Sequence, residues 1–171
     1  MQTKHITVLP YDPQWPADFQ AICQELTPAL GDLVLVIEHV GSTAVPGLAS
    51  KPIIDIDIVI RDAAALPDII ARLARIGYLH EGNLGVPDRE AFCYEGKLHL
   101  REHHIYVCPQ NTAELHRHLT FRDYLRNHPE AAAQYGRIKQ EAAALHPKDI
   151  DSYIAHKSGC IEALYAACGL V

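Results

Sequence analysis

Two short stretches hold residue types that can do chemistry together: Gly41-Ser42-Thr43 and Asp55-Ile56-Asp57. Gly41 permits close backbone approach, and the hydroxyls of Ser42 and Thr43 can donate to phosphate oxygens. Asp55 and Asp57 lie within Pro52 to Ile60, an Ile- and Val-rich run that reads as a strand. Strand side chains alternate between faces, so the two carboxylates point the same way. Ile53 shares their face, while Ile54, Ile56 and Ile58 take the other. Bare anions on an otherwise apolar strand are costly to bury; they need water, basic partners or a metal. Mg²⁺ prefers carboxylate oxygens and usually engages one or two of them together with phosphates. The expected site has phosphates on Gly41, Ser42 and Thr43, a divalent cation on Asp55 and Asp57, and in-line attack between them. An Asp-x-Asp pair also faces solvent on many edge strands. The apolar flanks and the preceding Gly-Ser weigh against that alternative.

The surrounding pattern must position these residues. His5 to Leu9 reads as a short strand stopped by Pro10 and Pro13. Pro16 suits the first turn of a helix running to about Leu30, with Pro28 weakening its end. Leu33 to Glu38 reads as a strand leading into the small-residue loop Gly41 to Leu48. Asp62 can cap a helix over Ala63 to Arg75 that ends at Gly77. Tyr78 to Glu81, Glu90 to Glu95 and Arg101 to Cys108 read as further strands separated by glycine-bearing turns. Three helices follow: Thr112 to Asn127, Pro129 to Leu145, and Ile150 to Ala167. The expected class is α+β over a single domain, 1–171. A small mixed or antiparallel sheet comes first, and the C-terminal helices pack against it.

Composition excludes several classes. The chain has 171 residues, 15 Lys plus Arg against 21 Asp plus Glu, and 11 His. At 49% hydrophobic it is not a disordered chain. The net charge of −6 disfavours general nucleic-acid binding. No apolar run approaches the ~20 residues of a membrane span, and no leader-like core opens the chain. The cysteines (Cys23, Cys93, Cys108, Cys160, Cys168) form no CxxC pair. They read as cytosolic thiols used as small hydrophobes, so the expected location is cytoplasmic.

Gly41-Ser42 followed by a strand carrying Asp55-x-Asp57 resembles the nucleotidyltransferase superfamily signature. The string Glu38-His39-Val40-Gly41-Ser42-Thr43-Ala44-Val45-Pro46-Gly47-Leu48 with Lys51-Pro52-Ile53-Ile54-Asp55 is more specific. It resembles the GrpB-like family, whose members share that fold and are also found fused to dephospho-CoA kinase. Tyr11-x-Pro13-x-Trp15, His103-His104-Ile105, His118-Leu119-x-Phe121-Arg122-Asp123-Tyr124-Leu125, Tyr153 and Lys157 extend the resemblance over nearly the whole chain. It implies a nucleotidyltransferase-like fold, a nucleoside triphosphate or other polyphosphate ligand, and a CoA-pathway enzyme as a partner.

Enzymes of the superfamily usually carry a third carboxylate on a neighbouring strand. Here the matching strand is Arg101 to Val107, where Glu102, His104 and Tyr106 share one face. His104 is thus the expected third ligand beside Asp55 and Asp57. A histidine there shifts the site from Mg²⁺ toward Mn²⁺, Zn²⁺ or Ni²⁺. Arg89, Lys97, Arg101, Arg122, Lys139 and Lys157 are candidates for holding a polyphosphate. Lys51, Arg89, Arg122 and Lys157 are the favoured set. Arg122 falls in the helical arc of Leu115, Leu119 and Leu125, where a guanidinium needs a partner; Asp123 is the alternative to a ligand. Three functions compete: a metal-dependent nucleotidyltransferase with unknown acceptor, a non-catalytic nucleotide- or CoA-type binding module, and a transition-metal hydrolase.

Overall fold

The computed structural model describes residues 4–171. Its centre is a five-stranded mixed sheet in the order β1-β2-β5-β4-β3. The strands are β1 (Val34–Val40), β2 (Ile54–Ile60), β3 (Leu79–Gly82), β4 (Glu90–Cys93) and β5 (His103–Pro109). β2 runs antiparallel to β1 and parallel to β5, and the β5-β4-β3 side is antiparallel. The helices are α1 (Trp15–Leu30), α2 (Leu66–Arg75), α3 (Ala113–Asn127), α4 (Pro129–Leu145) and α5 (Ile150–Ala167). The α+β class and the mixed sheet agree with the sequence reading.

Alternation on β2 divides the molecule into two layers. Ile54, Ile56, Ile58 and Ile60 are fully buried, packed with Ile105, Val107 and Phe92 against Trp15, Ile22, Leu26 and Leu30 of α1 and Ile69 and Leu73 of α2. This is the main core, and burying each such side chain is worth roughly 1.5–3 kcal/mol. The other face carries Asp55, Asp57 and Val59. Val59 and Cys108 pack under Leu115 of α3. The remaining C-terminal helices reach the sheet through the loop after β1. Val45 and Leu48 of that loop pack with Leu125, Ala132, Tyr135 and Leu164 of α3, α4 and α5.

One expected strand is not formed. Between His5 and Leu9, only Leu9 bridges, to Ser50, through a pair of backbone hydrogen bonds of 2.8 and 2.9 Å. The Ile6 N–H donates instead to the Pro147 carbonyl at 2.8 Å. The segment is extended because it spans two anchors, and Pro10 ends any further pairing.

β1 also turns a histidine inward. His39 pairs across from Ile56 and stacks on Phe19 of α1 at 4.8 Å. Its Nε2 lies 2.9 Å from the Thr43 hydroxyl, which donates onward to the Ile53 carbonyl at 3.1 Å. That hydroxyl's only proton is spent on Ile53, so His39 donates. Burial, then the charge of Arg126, lowers the His39 pKa from its usual 6.5 to about 4. The folded state therefore binds fewer protons at this ring than the unfolded chain does. Its contribution to stability is complete above pH 6.5 and is lost as the pH falls through 4. Urea unfolding at stepped pH should show the stability gap between wild type and His39→Gln shrinking by roughly 3 kcal/mol over that window. A gap independent of pH would contradict this placement of His39.

Candidate active site

The parallel register of β2 and β5 sets Asp55 beside His104 and Asp57 beside Tyr106. The antiparallel register with β1 sets Glu38 beside Asp57 and Val40 beside Asp55. These residues form one polar face at the centre of the sheet. The two aspartates have different surroundings. Asp55 is partly exposed, and its Oδ1 accepts from His104 Nδ1 at 3.1 Å. That hydrogen bond is the main cause of the raised His104 pKa. Asp57 is fully buried. Its Oδ2 accepts from His118 Nδ1 at 2.6 Å, while its Oδ1 has no protein partner.

His118 is clamped from both sides, because its Nε2 lies 2.9 Å from Glu114 Oε1. Burial alone would lower its pKa; Asp57 and Glu114 outweigh that and raise it. Both ring nitrogens face carboxylates, the arrangement suited to an imidazolium. Glu114 also pairs with Arg117 and lies 4.0 Å from Arg89 Nη1. The Arg89 guanidinium sits over the Tyr106 ring at 4.3 Å.

The Gly-Ser loop closes over Asp55. Gly41 has φ 72°, and a Cβ built there would lie 2.3 Å from Asp55 Oδ2. Only glycine lets the chain pass the carboxylate so closely. Ser42 follows and lines two cavities, one on each side of Asp55. Thr43 was expected beside it, but its side chain is buried and committed to His39 and Ile53. Residues 42–44 form a single tight helical turn that directs this hydroxyl toward His39 rather than toward the cavities at Asp55.

The first cavity, about 210 Å³, brings Ser42, Lys51, Asp55, His104, Lys139 and Lys157 together around Tyr153. Three ammonium groups meet with Asp55 as the carboxylate in the same wall. Burial, then the charges of Lys157 and Lys51, pushes Lys139 from 10.5 down to about 7. Burial and Lys51 push Lys157 to about 8. The Lys51 and Lys157 ammonium groups lie over the Tyr153 ring at 5.6 and 4.7 Å from its centre. The Tyr153 hydroxyl is buried without a partner. The second cavity, about 160 Å³, is lined by Arg117, His118, Phe121, Arg122 and Tyr165 together with Gly41, Ser42 and Asp55.

The structure thus gathers Ser42, Lys51, Asp55, His104 and Lys157 as expected. Arg122 is spent on protein partners: it donates to Glu38 at 2.7 Å, to Asp123 at 2.9 Å and to the His39 carbonyl at 3.0 Å. Arg89 is held by Glu114 and Tyr106 rather than by the lysine cavity. Lys139, outside the favoured set, lines the same cavity. It lies in the buried stripe Ala132, Tyr135, Gly136, Ala142 and Ala143 of α4, the same signal of a cation in an apolar arc that singles out Arg122. The expected ligands Asp55, Asp57 and His104 stand in two separate hydrogen-bonded pairs, His104 with Asp55 and His118 with Asp57. Among the described residues, no three His, Cys, Asp or Glu side chains are grouped to hold one ion. The register gives His104 to Asp55 alone, and His118 occupies Asp57.

Gly41→Ala tests the close approach. It forces a left-handed backbone and a clash with Asp55 at once, so a loss of roughly 1–3 kcal/mol is expected in denaturant unfolding. Pairing it with Asp55→Gly, which removes the carboxylate, should recover part of that loss. Full additivity of the two substitutions would contradict the contact.

Comparison with known proteins agrees with this fold. The family profile described as GrpB protein matches residues 5–167. The protein YqkA of Bacillus subtilis is 34% identical over 159 residues, covering 93% of this chain and 46% of its own length. A dephospho-CoA kinase of Mycolicibacterium paratuberculosis is 31% identical over 175 residues, 89% of this chain and 43% of its own. The chain therefore spans about half the length of these relatives. The crystal structure of GrpB from Enterococcus faecalis superposes with a TM-score of 0.83 at 36% identity, covering 95% of this chain and 96% of that one. The Cid1 poly(U) polymerase, solved with MgGTP, superposes with a TM-score of 0.56 at 11% identity, over 77% of this chain and 42% of that one. That likeness is one of fold, the nucleotidyltransferase-like arrangement of strands and helices. The chain belongs to the GrpB family.

Proposed function

We propose that the lysine cavity binds the polyphosphate of a nucleoside triphosphate for nucleotidyl transfer to an acceptor. The observation that carries this reading is the meeting of Lys51, Lys139 and Lys157 around Tyr153, whose hydroxyl is buried without a partner. Charging Lys139 in its present surroundings is penalised by roughly 5 kcal/mol relative to water. A bound polyanion removes that penalty by supplying the missing counter-charge. Ser42 and the Tyr153 hydroxyl then donate to phosphate oxygens, and the three ammonium groups orient the chain of phosphates against Asp55.

The aspartate pair fits a hard divalent cation, Mg²⁺ or Mn²⁺, completed by phosphate oxygens. Asp57 Oδ1 is buried without a partner, and two carboxylates are what such a cation usually takes from protein. Asp55 and Asp57 would hold it, and when bound it supplies Lewis-acid stabilisation of charge on the phosphoryl oxygens. His118 fixes the orientation of Asp57, and Gly41 fixes that of Asp55. The relative named as a dephospho-CoA kinase supports a CoA-pathway enzyme as the partner.

A second reading, a nucleotide-binding module without turnover, is favoured by one feature. β5 presents His104 and Tyr106 to the site where the superfamily signature carries a third carboxylate. Turnover assays with hydroxyl acceptors separate the two readings.

Calorimetric titration with nucleoside triphosphates and Mg²⁺ tests the site. Asp55→Asn plus Asp57→Asn should weaken binding by at least about tenfold. Lys139→Met should weaken it similarly, yet raise the unfolding temperature of the free protein, because it deletes a buried cation. Equal binding by wild type and the double aspartate variant would overturn the reading.

A further inference from the structure

Beside the lysine cavity lies a larger one of about 390 Å³. Ile6, Pro52, Ile53 and Ile150 form its walls, and Lys4 and Glu102 stand at its edge. Lys51 and Ile53 line both cavities, so the two are neighbours with a shared border. Their chemistries are complementary. The smaller is polar and cationic; the larger is mostly apolar with a few polar groups, within the ~300–1,000 Å³ range of small-molecule sites. We infer that the larger cavity takes the nucleoside half of the ligand whose phosphates occupy the lysine cavity, an inference that rests on the polyphosphate reading above.

Three observations support a nucleoside rather than a bare phosphate chain or an alkyl group. The lysine cavity alone, at about 210 Å³, is too small for a whole nucleotide. The larger cavity shares Lys51 with the lysine cavity, so one ammonium group borders both. Its edge offers both kinds of hydrogen-bonding group: Lys4 Nζ donates to both Glu102 oxygens at 3.0 Å, and the His5 ring lies 3.4 Å from the Thr7 hydroxyl. A nucleobase is planar, largely apolar on its faces and polar at its edge, which matches such a wall and rim. An alkyl chain would leave the rim unused. The segment that was expected to be a strand forms one wall. Ile6 is held to Pro147, and Leu9 to Ser50, so the wall is fixed from both ends.

Ile150 is the position for a test, because it is the first residue of α5 and partly exposed. A carboxylate is tolerated in the first turn of a helix, so Ile150→Glu should fold. Tripolyphosphate, the four common nucleoside triphosphates and hexyl triphosphate are titrated, with Mg²⁺ present, into wild type, Ile150→Glu and Ile150→Leu. At least one nucleotide should bind wild type about tenfold or more tightly than tripolyphosphate does, a difference of about 1.4 kcal/mol. Ile150→Glu should erase that advantage and leave tripolyphosphate binding unchanged, while Ile150→Leu keeps it. The inference is overturned, with the polyphosphate reading intact, if tripolyphosphate binds as well as every nucleotide. It is equally overturned if hexyl triphosphate gains as much as the best nucleotide, or if Ile150→Glu weakens tripolyphosphate and nucleotide alike. Failure of every probe to bind removes the polyphosphate reading and this one with it.

Discussion

β2 has two faces that cannot be exchanged. One carries four isoleucines that complete the core; the other carries Asp55 and Asp57. A one-residue slip of the strand would turn both carboxylates into the apolar core against α1 and α2 and the isoleucines onto the polar face. The hydrophobic core therefore fixes the register, and the register fixes the site. It sets His104 beside Asp55, Tyr106 beside Asp57, and Glu38 where it can meet Arg122 from α3. Much of the positive charge around this face is spent on holding the aspartates and the helices in place. The three lysines beside Asp55 stand apart from that network.

Those lysines carry an energetic cost that packing does not require. Lys139 is almost fully buried in α4, where Met or Leu would fill the same stripe. Its burial beside Lys51 and Lys157 opposes folding at neutral pH. Such arrangements persist at sites where a ligand of opposite charge completes the balance. The whole chain is acidic, at −6, yet this pocket is cationic. Net charge speaks to the surface at large and says little about a cavity walled off by a sheet and two helices.

The sequence exposed local order well and spatial assembly poorly. The β2 alternation, the glycine before Ser42 and all five helices follow from short-range patterns: Ile spacing, Asp62 as a cap, and prolines in the first helical turn. Gly41 was legible as a close approach, although not that Asp55 itself makes the approach. Thr43 read as a phosphate donor because nothing local shows that the turn at 42–44 rotates it toward His39. The union of Asp57 with His118 joins residues 61 apart in the chain, and no local pattern encodes it. Lys139 stood among six candidate cations and outside the favoured four, because its neighbours Lys51 and Lys157 come from a loop and from another helix. The strand expected at His5 to Leu9 had the right composition and lacked a partner edge.

The claim on which the functional account stands is that Lys139 is a buried cation awaiting an anion. Its titration can be read directly from the Cε resonance of ¹³C-lysine-labelled protein, assigned with Lys139→Met. The account predicts a midpoint near 7 in the free protein and a marked rise when tripolyphosphate is added. A midpoint near the ordinary lysine value of about 10.4 in the free protein, or one that tripolyphosphate does not move, would contradict it.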